Sequence, residues 1–214
     1  MKKNLTELVL ILDRSGSMSG LESDTIGGYN AMVEKQKKEE GEANVTTILF
    51  DDKVETLHNR VSIKDIKTIT EKEYYVRGCT ALLDAIGQTI HFMDNGQKFA
   101  KEEERAKKVI FVVITDGYEN SSHEYSQATI KKMIENQKRI NHWEFIFLGA
   151  NIDAIATAKQ FGINEDGAVN YIADARGTEL NYHAVSDAVS YCRKEGKIDK
   201  RWKEAVVKDY KERI

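Results

Sequence analysis

The 214-residue chain is 41% hydrophobic and 31% charged, and its 32 basic and 35 acidic side chains give a formal net charge of −3. This composition is typical of a folded globular protein and argues against both a disordered chain and a membrane protein. The nearly balanced charge provides no overall field that would attract nucleic acid or an anionic membrane surface.

The start of the chain carries no pattern of a targeting or membrane-spanning segment. Its first apolar run, residues 8–12, is ended by Asp13 and is too short for the core of a signal peptide. The two cysteines, Cys79 and Cys192, have no metal-ligand spacing and are too few for a disulfide framework. We therefore expect reduced cysteines and a cytoplasmic protein.

Short, β-branched apolar runs alternate along the chain with longer amphipathic stretches, a pattern typical of strands connected by helices into a parallel sheet. Strands are predicted at residues 8–12, 45–50, 109–114 and 145–148. A weaker strand pair is predicted at residues 53–61, after the turn-favouring Asp51-Asp52, and would form a hairpin at one sheet edge. Helices are predicted at residues 25–39, 82–93, 127–139, 152–161 and 180–192. The nearly continuous apolar runs at 109–114 and 145–148 indicate central strands covered on both faces.

The domain organisation predicted from this rhythm is one α/β domain at residues 1–195, followed by a C-terminal amphipathic helix at 196–214. Trp202, Val206 and Tyr210 recur every four residues in that last stretch, with lysines and glutamates between them. A stripe of this kind predicts a helix that packs on the same domain, and a helix that docks a partner is the alternative.

Two of the predicted strands end in an aspartate followed by small polar residues. Asp13, Ser15 and Ser17 follow the first strand, and Asp116 follows the strand at 109–114. Because the carboxyl ends of parallel strands share one edge of a sheet, we expect these side chains to meet there. A glycine-marked loop between the two strands adds a third hydroxyl, Thr80.

Oxygen ligands of this kind suit a hard cation, and a few protein oxygens completed by water suit Mg²⁺ better than the larger shell of Ca²⁺. A cation held mainly by neutral hydroxyls keeps the ability to accept an anionic oxygen from another molecule. An aspartate and serines after a strand can also simply cap a helix or close a turn.

Asp13-x-Ser15-x-Ser17, Thr80 and Asp116 together resemble the metal-ion-dependent adhesion site of von Willebrand factor type A domains. The flanking residues 8–12, 78–85 and 114–117 are similar as well. The resemblance implies a three-layer α/β/α fold, with a mainly parallel sheet and one antiparallel edge strand. It also implies that the three hydroxyls contact the metal directly, while Asp13 and Asp116 act through water or through the hydroxyls.

The same resemblance implies a function in binding. The cofactor would be Mg²⁺, with Mn²⁺ and Ca²⁺ as alternatives, and the partner would be a protein that supplies an aspartate or glutamate carboxylate. A stand-alone intracellular prokaryotic or phage-like member of the family would serve as a scaffold or adaptor.

Five residues near the predicted site are expected to form the rim that a partner contacts: Arg14, Met18, Cys79, Tyr118 and Asn151. Asn151 has an alternative interpretation, in which it caps the helix that follows the strand at 145–148.

Catalysis by a Mg²⁺-dependent phosphoryl-transfer enzyme is the alternative function, with Asp13 attacking phosphate and Asp116 supporting the metal. Ser15, however, occupies the position where such an enzyme needs an acidic proton donor, and only Arg14 and Arg77 are candidates to hold a phosphate. Serine hydrolysis is disfavoured by the serine–glycine spacing of residues 15–20. We therefore predict a binding module without catalytic residues.

Overall fold

The computed structural model describes residues 5–214, and the first four residues of the predicted domain lie outside this range. Within it, six strands form one sheet: β1 Thr6–Asp13, β2 Ala43–Phe50, β3 Val54–Ser62, β4 Lys108–Thr115, β5 Glu144–Gly149 and β6 Ala168–Asn170. The α-helices are α1 Glu22–Lys37, α2 Leu82–Phe99, α3 Gln127–Asn141, α4 Ala154–Gln160, α5 Ala175–Glu195 and α6 Glu204–Arg213.

The strand order is β3-β2-β1-β4-β5-β6. All neighbours pair in parallel except β2 and β3, which form the antiparallel pair at one edge. The predicted α/β class, with its mainly parallel sheet and one antiparallel edge strand, is confirmed. The predicted strand pair at residues 53–61 is wrong, since these residues lie in or next to a single strand, β3, whose partner is β2. Leu12 is in register with Ile114, so β1 and β4 end side by side at the same edge of the sheet.

Alternate residues of β1 face two separate hydrophobic cores, as the period of two in a strand requires. Leu8, Leu10 and Leu12 belong to the core that α1, α5 and α6 cover. Val9 and Ile11 face the core that α2, α3 and α4 cover. The sheet is therefore the middle layer of three, and its central strands are buried on both faces.

The predicted elements differ from the structure mainly at their ends. β6 was not predicted, because its three residues are too few to show an apolar alternation. Helix α5 begins five residues before the predicted start, where Asp174 caps it by accepting a hydrogen bond from Gly177 N. The capping role proposed for Asn151 is wrong, since the side chain of Asp153 caps α4 by accepting from Ala156 N.

The C-terminal segment packs on the same core as α1 and α5. Trp202 and Val206 are buried there, and Trp202 Nε1 donates to the carbonyl oxygen of Asp166 over 2.9 Å. Arg213 forms an ion pair with Asp174, which ties the end of α6 to the beginning of α5, and a second ion pair with Asp209 within α6. None of the helices within residues 5–214 combines the length and the apolar character needed to cross a membrane.

Replacing Trp202 with alanine should lower the free energy of unfolding by about 3 kcal/mol, since large-to-small changes of buried aromatic residues cost about 3–5 kcal/mol. Urea denaturation followed by circular dichroism measures the change. Ile214, which is 80% exposed, provides the control, and Ile214→Ala should change stability by less than about 0.5 kcal/mol. Equal stability of the two variants would contradict the packing of this segment.

Candidate metal centre

Asp13 connects the first loop of the site to strand β4. Its Oδ1 accepts a hydrogen bond from Ser15 N over 2.7 Å, and its Oδ2 accepts one from Thr115 Oγ1 over 2.6 Å. The side chain is buried. Because both of its oxygens accept hydrogen bonds inside the protein, Asp13 fixes the position of Ser15 at the end of β1.

The serine hydroxyls lie between the two aspartates. Residues Gly16–Met18 form one turn of 3₁₀ helix, which brings Ser17 back beside Ser15, with their Oγ atoms 3.0 Å apart. Ser17 Oγ donates to Asp116 Oδ1 over 2.5 Å. The other carboxylate oxygen, Asp116 Oδ2, is buried and accepts no hydrogen bond from the described residues.

Thr80 reaches the same cluster from the loop before α2. A Cβ placed on Gly117 would lie 3.2 Å from Ser17 Oγ and 3.6 Å from Thr80 Oγ1, so Gly117 borders both hydroxyls. Asn120 holds Thr80 in place through two hydrogen bonds. Oδ1 of Asn120 accepts from Thr80 N, and the backbone N of Asn120 donates to the carbonyl oxygen of Thr80. The structure thus brings together all five predicted ligands.

Burial disfavours ionisation of the carboxyl groups of Asp13 and Asp116 in the metal-free protein. It raises the pKa of Asp13 to about 6, against the opposing effect of the hydrogen bonds from Thr115 and Ser15. It also raises the pKa of Asp116, although the hydrogen bond from Ser17 opposes this shift. A divalent cation beside these groups would remove the cost of ionising them.

The donor set fits such a cation. It consists of oxygen atoms, which hard cations prefer, and it includes an unpartnered buried carboxylate oxygen that a metal ion or a metal-bound water would satisfy. Across residues 5–214, no group of three or more histidine, cysteine, aspartate or glutamate side chains is arranged to hold a metal ion.

Two of the five predicted rim residues are not on the surface. Arg14 and Met18 are 0% and 2% exposed, and the Arg14 side chain turns inward to Asp51. Cys79 and Asn151 are exposed, and Tyr118 is 64% exposed. Tyr118 and Asn151 line an open groove of about 680 Å³ next to the site.

Three residues that hold the site were missed from the sequence: Asp51, Thr115 and Asn120. Thr115 directly precedes Asp116, so its position beside Asp13 follows from the register of β1 and β4. The sequence pattern assigns Asp51 only to a turn. However, Arg14 directly follows a buried strand, and an arginine in that position needs an anionic partner such as Asp51. Asn120 lies in a loop and left no signal in the sequence.

The fold and the site together define a class: an α/β domain with an oxygen-lined centre at the carboxyl edge of a parallel sheet. No family model and no curated protein matches the sequence. The fold itself matches solved structures of von Willebrand factor type A domains, and the chain has this fold.

Three of these structures illustrate the match. Proximal thread matrix protein 1 from the mussel byssus, with a zinc-occupied MIDAS motif, has a TM-score of 0.61 and 12% identity over 88% of this chain. Manganese-loaded TRAP from Plasmodium vivax has a TM-score of 0.52 and 17% identity over 76% of this chain. The von Willebrand factor type A structure from Catenulispora acidiphila has a TM-score of 0.56 and 13% identity over 88% of this chain. The chain covers 46%, 62% and 43% of their lengths, respectively.

The raised pKa of Asp13 predicts that its charge destabilises the metal-free protein. Between about pH 4 and pH 6 the folded state binds more protons than the unfolded state, so this contribution to stability falls as pH rises through that window. Asp13→Asn should therefore stabilise the metal-free protein at pH 7.5 by up to about 3 kcal/mol, at about 1.4 kcal/mol per pH unit.

Urea denaturation in the presence of a chelator measures this difference at pH 7.5 and at pH 4. The advantage of Asp13→Asn should disappear at pH 4, where the native carboxyl group is protonated in the folded state. A variant that is less stable than the native protein at pH 7.5, by the same amount as at pH 4, would refute the electrostatic argument.

Proposed function

We propose that the chain is a divalent-metal-dependent protein-binding module with an intact metal-ion-dependent adhesion site. The observation that carries the proposal is the buried, unpartnered Oδ2 of Asp116, next to the hydroxyl of Ser17. Mg²⁺ is the proposed ion, with Mn²⁺ and Ca²⁺ as alternatives. Ser15, Ser17 and Thr80 would hold it directly, while Asp13 and Asp116 would act through the hydroxyls or through water.

The charges of the site explain why a partner carboxylate is the proposed ligand. Asp13 would offset part of the charge of a divalent cation without binding it, because its oxygens already accept hydrogen bonds from Ser15 N and Thr115 Oγ1. The hydroxyls are neutral, so the cation retains its affinity for an anionic oxygen from outside the domain. An aspartate or glutamate of a partner protein supplies such an oxygen.

The surface beside the centre supports recognition of a protein. Tyr118 follows Gly117, which borders the hydroxyl cluster, and tyrosine is enriched at protein interfaces. The groove beyond it is lined by Asn151, Ile155 and Tyr210, among others. A partner that supplies the carboxylate would have its neighbouring residues next to this groove. We further propose that the protein is a cytoplasmic adaptor of the prokaryotic or phage-like type.

Phosphoryl transfer is the less favoured function. A nucleophilic aspartate needs an oxygen that is free to attack, whereas both oxygens of Asp13 accept hydrogen bonds inside the protein. The two arginines that were candidates to hold a phosphate both donate to Asp51. We therefore propose that the module is not an enzyme.

Isothermal titration of metal-stripped protein with Mg²⁺ and Mn²⁺ should detect one site. Ser15→Ala and Asp116→Asn should each weaken metal binding by at least about tenfold, since each variant removes a ligand or the hydrogen-bond partner of a ligand. Ser19→Ala is the matched control, because Ser19 is an exposed serine of the same loop. It should bind like the native protein. If the native protein binds neither ion, the proposed function is wrong.

The partner's chemistry is tested separately on an array of peptides. With Mg²⁺ present, the native protein should retain peptides that carry an aspartate or glutamate and lose them when that residue becomes asparagine or glutamine. A chelator should abolish retention, and Ser15→Ala should reproduce its effect. Retention that is indifferent to both the chelator and the acidic residue would contradict capture of a carboxylate by the metal.

A further inference from the structure

A cluster of buried charges lies beside the candidate metal centre and outside its five predicted ligands. Asp51 directly follows β2, and its side chain is 0% exposed. Its Oδ2 accepts a hydrogen bond from Arg14 Nε over 2.7 Å and another from Arg77 Nε over 2.7 Å. One carboxylate oxygen therefore joins two arginines that are 63 positions apart in the sequence.

The two arginines belong to the two loops that supply the hydroxyls. Arg14 lies between Asp13 and Ser15, and Arg77 precedes Thr80 by three residues. The backbone joins the same loops, since Arg77 N donates to Arg14 O over 2.8 Å and Gly16 N donates to Gly78 O over 3.2 Å. The two loops are thus held together by side chains as well as by backbone.

The backbone of Asp51 adds to these links. Its carbonyl oxygen accepts from Ala81 N over 2.8 Å, directly after Thr80, while its Oδ1 accepts from Lys53 N and closes the turn into β3. Asp51 therefore fixes the second loop both at Arg77 and beyond Thr80. A change of the Asp51 side chain would reach the loop of Thr80 through Arg77, whereas the backbone hydrogen bond to Ala81 would remain.

Burial makes the Asp51–Arg14 pair hard to replace. Arg14 is 0% exposed, and its Nη1 has no hydrogen-bond partner among residues 5–214. Without the carboxylate, a buried charge would be left poorly compensated, so the loop would have to move to bring Arg14 to water. Such a movement would displace the adjacent Ser15.

Glu55 belongs to the same cluster but is placed differently. Its Oε2 accepts from Arg14 Nη2 over 2.7 Å, yet its side chain is 51% exposed. Its separation from Arg77 is 3.9 Å, so it does not form the short bridge that Asp51 forms. Water can replace Glu55 as the partner of Arg14, whereas water has little access to Asp51.

We propose that Asp51 is a positioning residue of the metal centre, which holds the loops that carry Ser15 and Thr80 at the separation required for metal binding. It does so through Arg14 and Arg77 and contacts neither hydroxyl itself. This inference rests on the proposed metal-binding function.

The test compares Asp51→Asn with Glu55→Gln, because each removes one negative charge from the same cluster. By titration with Mn²⁺, Asp51→Asn should weaken binding by about 10- to 100-fold, the range found when residues that orient metal ligands are changed. Glu55→Gln should stay within about threefold of the native protein. Equal losses in both variants would reduce the role of Asp51 to its charge and overturn the proposal.

A double-mutant cycle separates positioning from general damage to the fold. Arg77 is 41% exposed, and Arg77→Gln leaves the buried Arg14–Asp51 pair intact. If Asp51 acts through Arg77, the effects of Asp51→Asn and Arg77→Gln on metal affinity should be less than additive. Additive effects, or unchanged affinity in Arg77→Gln, would contradict the proposal.

Circular dichroism of each metal-free variant verifies its fold before titration. If Asp51→Asn does not fold, Arg77→Gln alone decides the question, with a loss of affinity of at least about threefold supporting the proposal. Native protein that binds no metal would refute the proposed function itself. Native protein that binds Mn²⁺, together with an Asp51→Asn variant that binds it equally well, would refute only the positioning role.

Discussion

The hydrogen bond from Thr115 Oγ1 to Asp13 Oδ2 joins the two central strands at the edge where the candidate metal centre lies. It depends on the parallel register of β1 and β4, in which Leu12 faces Ile114 and both strands end together. The same register places Asp116 within reach of Ser17. The hydroxyl cluster therefore has a rigid base, formed by two strands that are packed between two hydrophobic cores.

Charge is concentrated at this edge at a cost to the fold. Asp13 and Asp116 are both buried carboxyl groups with raised pKa values, and Asp51 lies in a buried ion pair beside them. Buried charges of this kind seldom improve stability over apolar residues of the same size. Sites that serve a function are often less stable than the rest of a protein.

The fold followed from the sequence to the extent that the apolar pattern was long enough to read. Residues 109–114 are almost entirely apolar, and the predicted central strand corresponds to β4. The neighbouring aspartates Asp51 and Asp52 indicated the turn between β2 and β3, although the residues after them form one strand and not a pair. β6 was not predicted because three residues are too few to show the alternation of apolar and polar residues that marks a strand. Its place in the sheet comes from pairing with β5. Helix ends were shifted because caps such as Asp174 and Asp153 act through single hydrogen bonds.

The sequence by itself determined which residues meet in the candidate centre. The five residues all lie at or next to the ends of strands and helices: Asp13, Ser15, Ser17, Thr80 and Asp116. Strand direction alone brings such ends to one edge of the sheet. Only the tertiary structure decided which neighbouring side chains face solvent. Arg14 turned out to be buried because a carboxylate from another strand end, Asp51, neutralises it. Strand direction places the ends of the strands at one edge, but the direction in which a side chain such as Arg14 turns depends on packing, which no local pattern encodes.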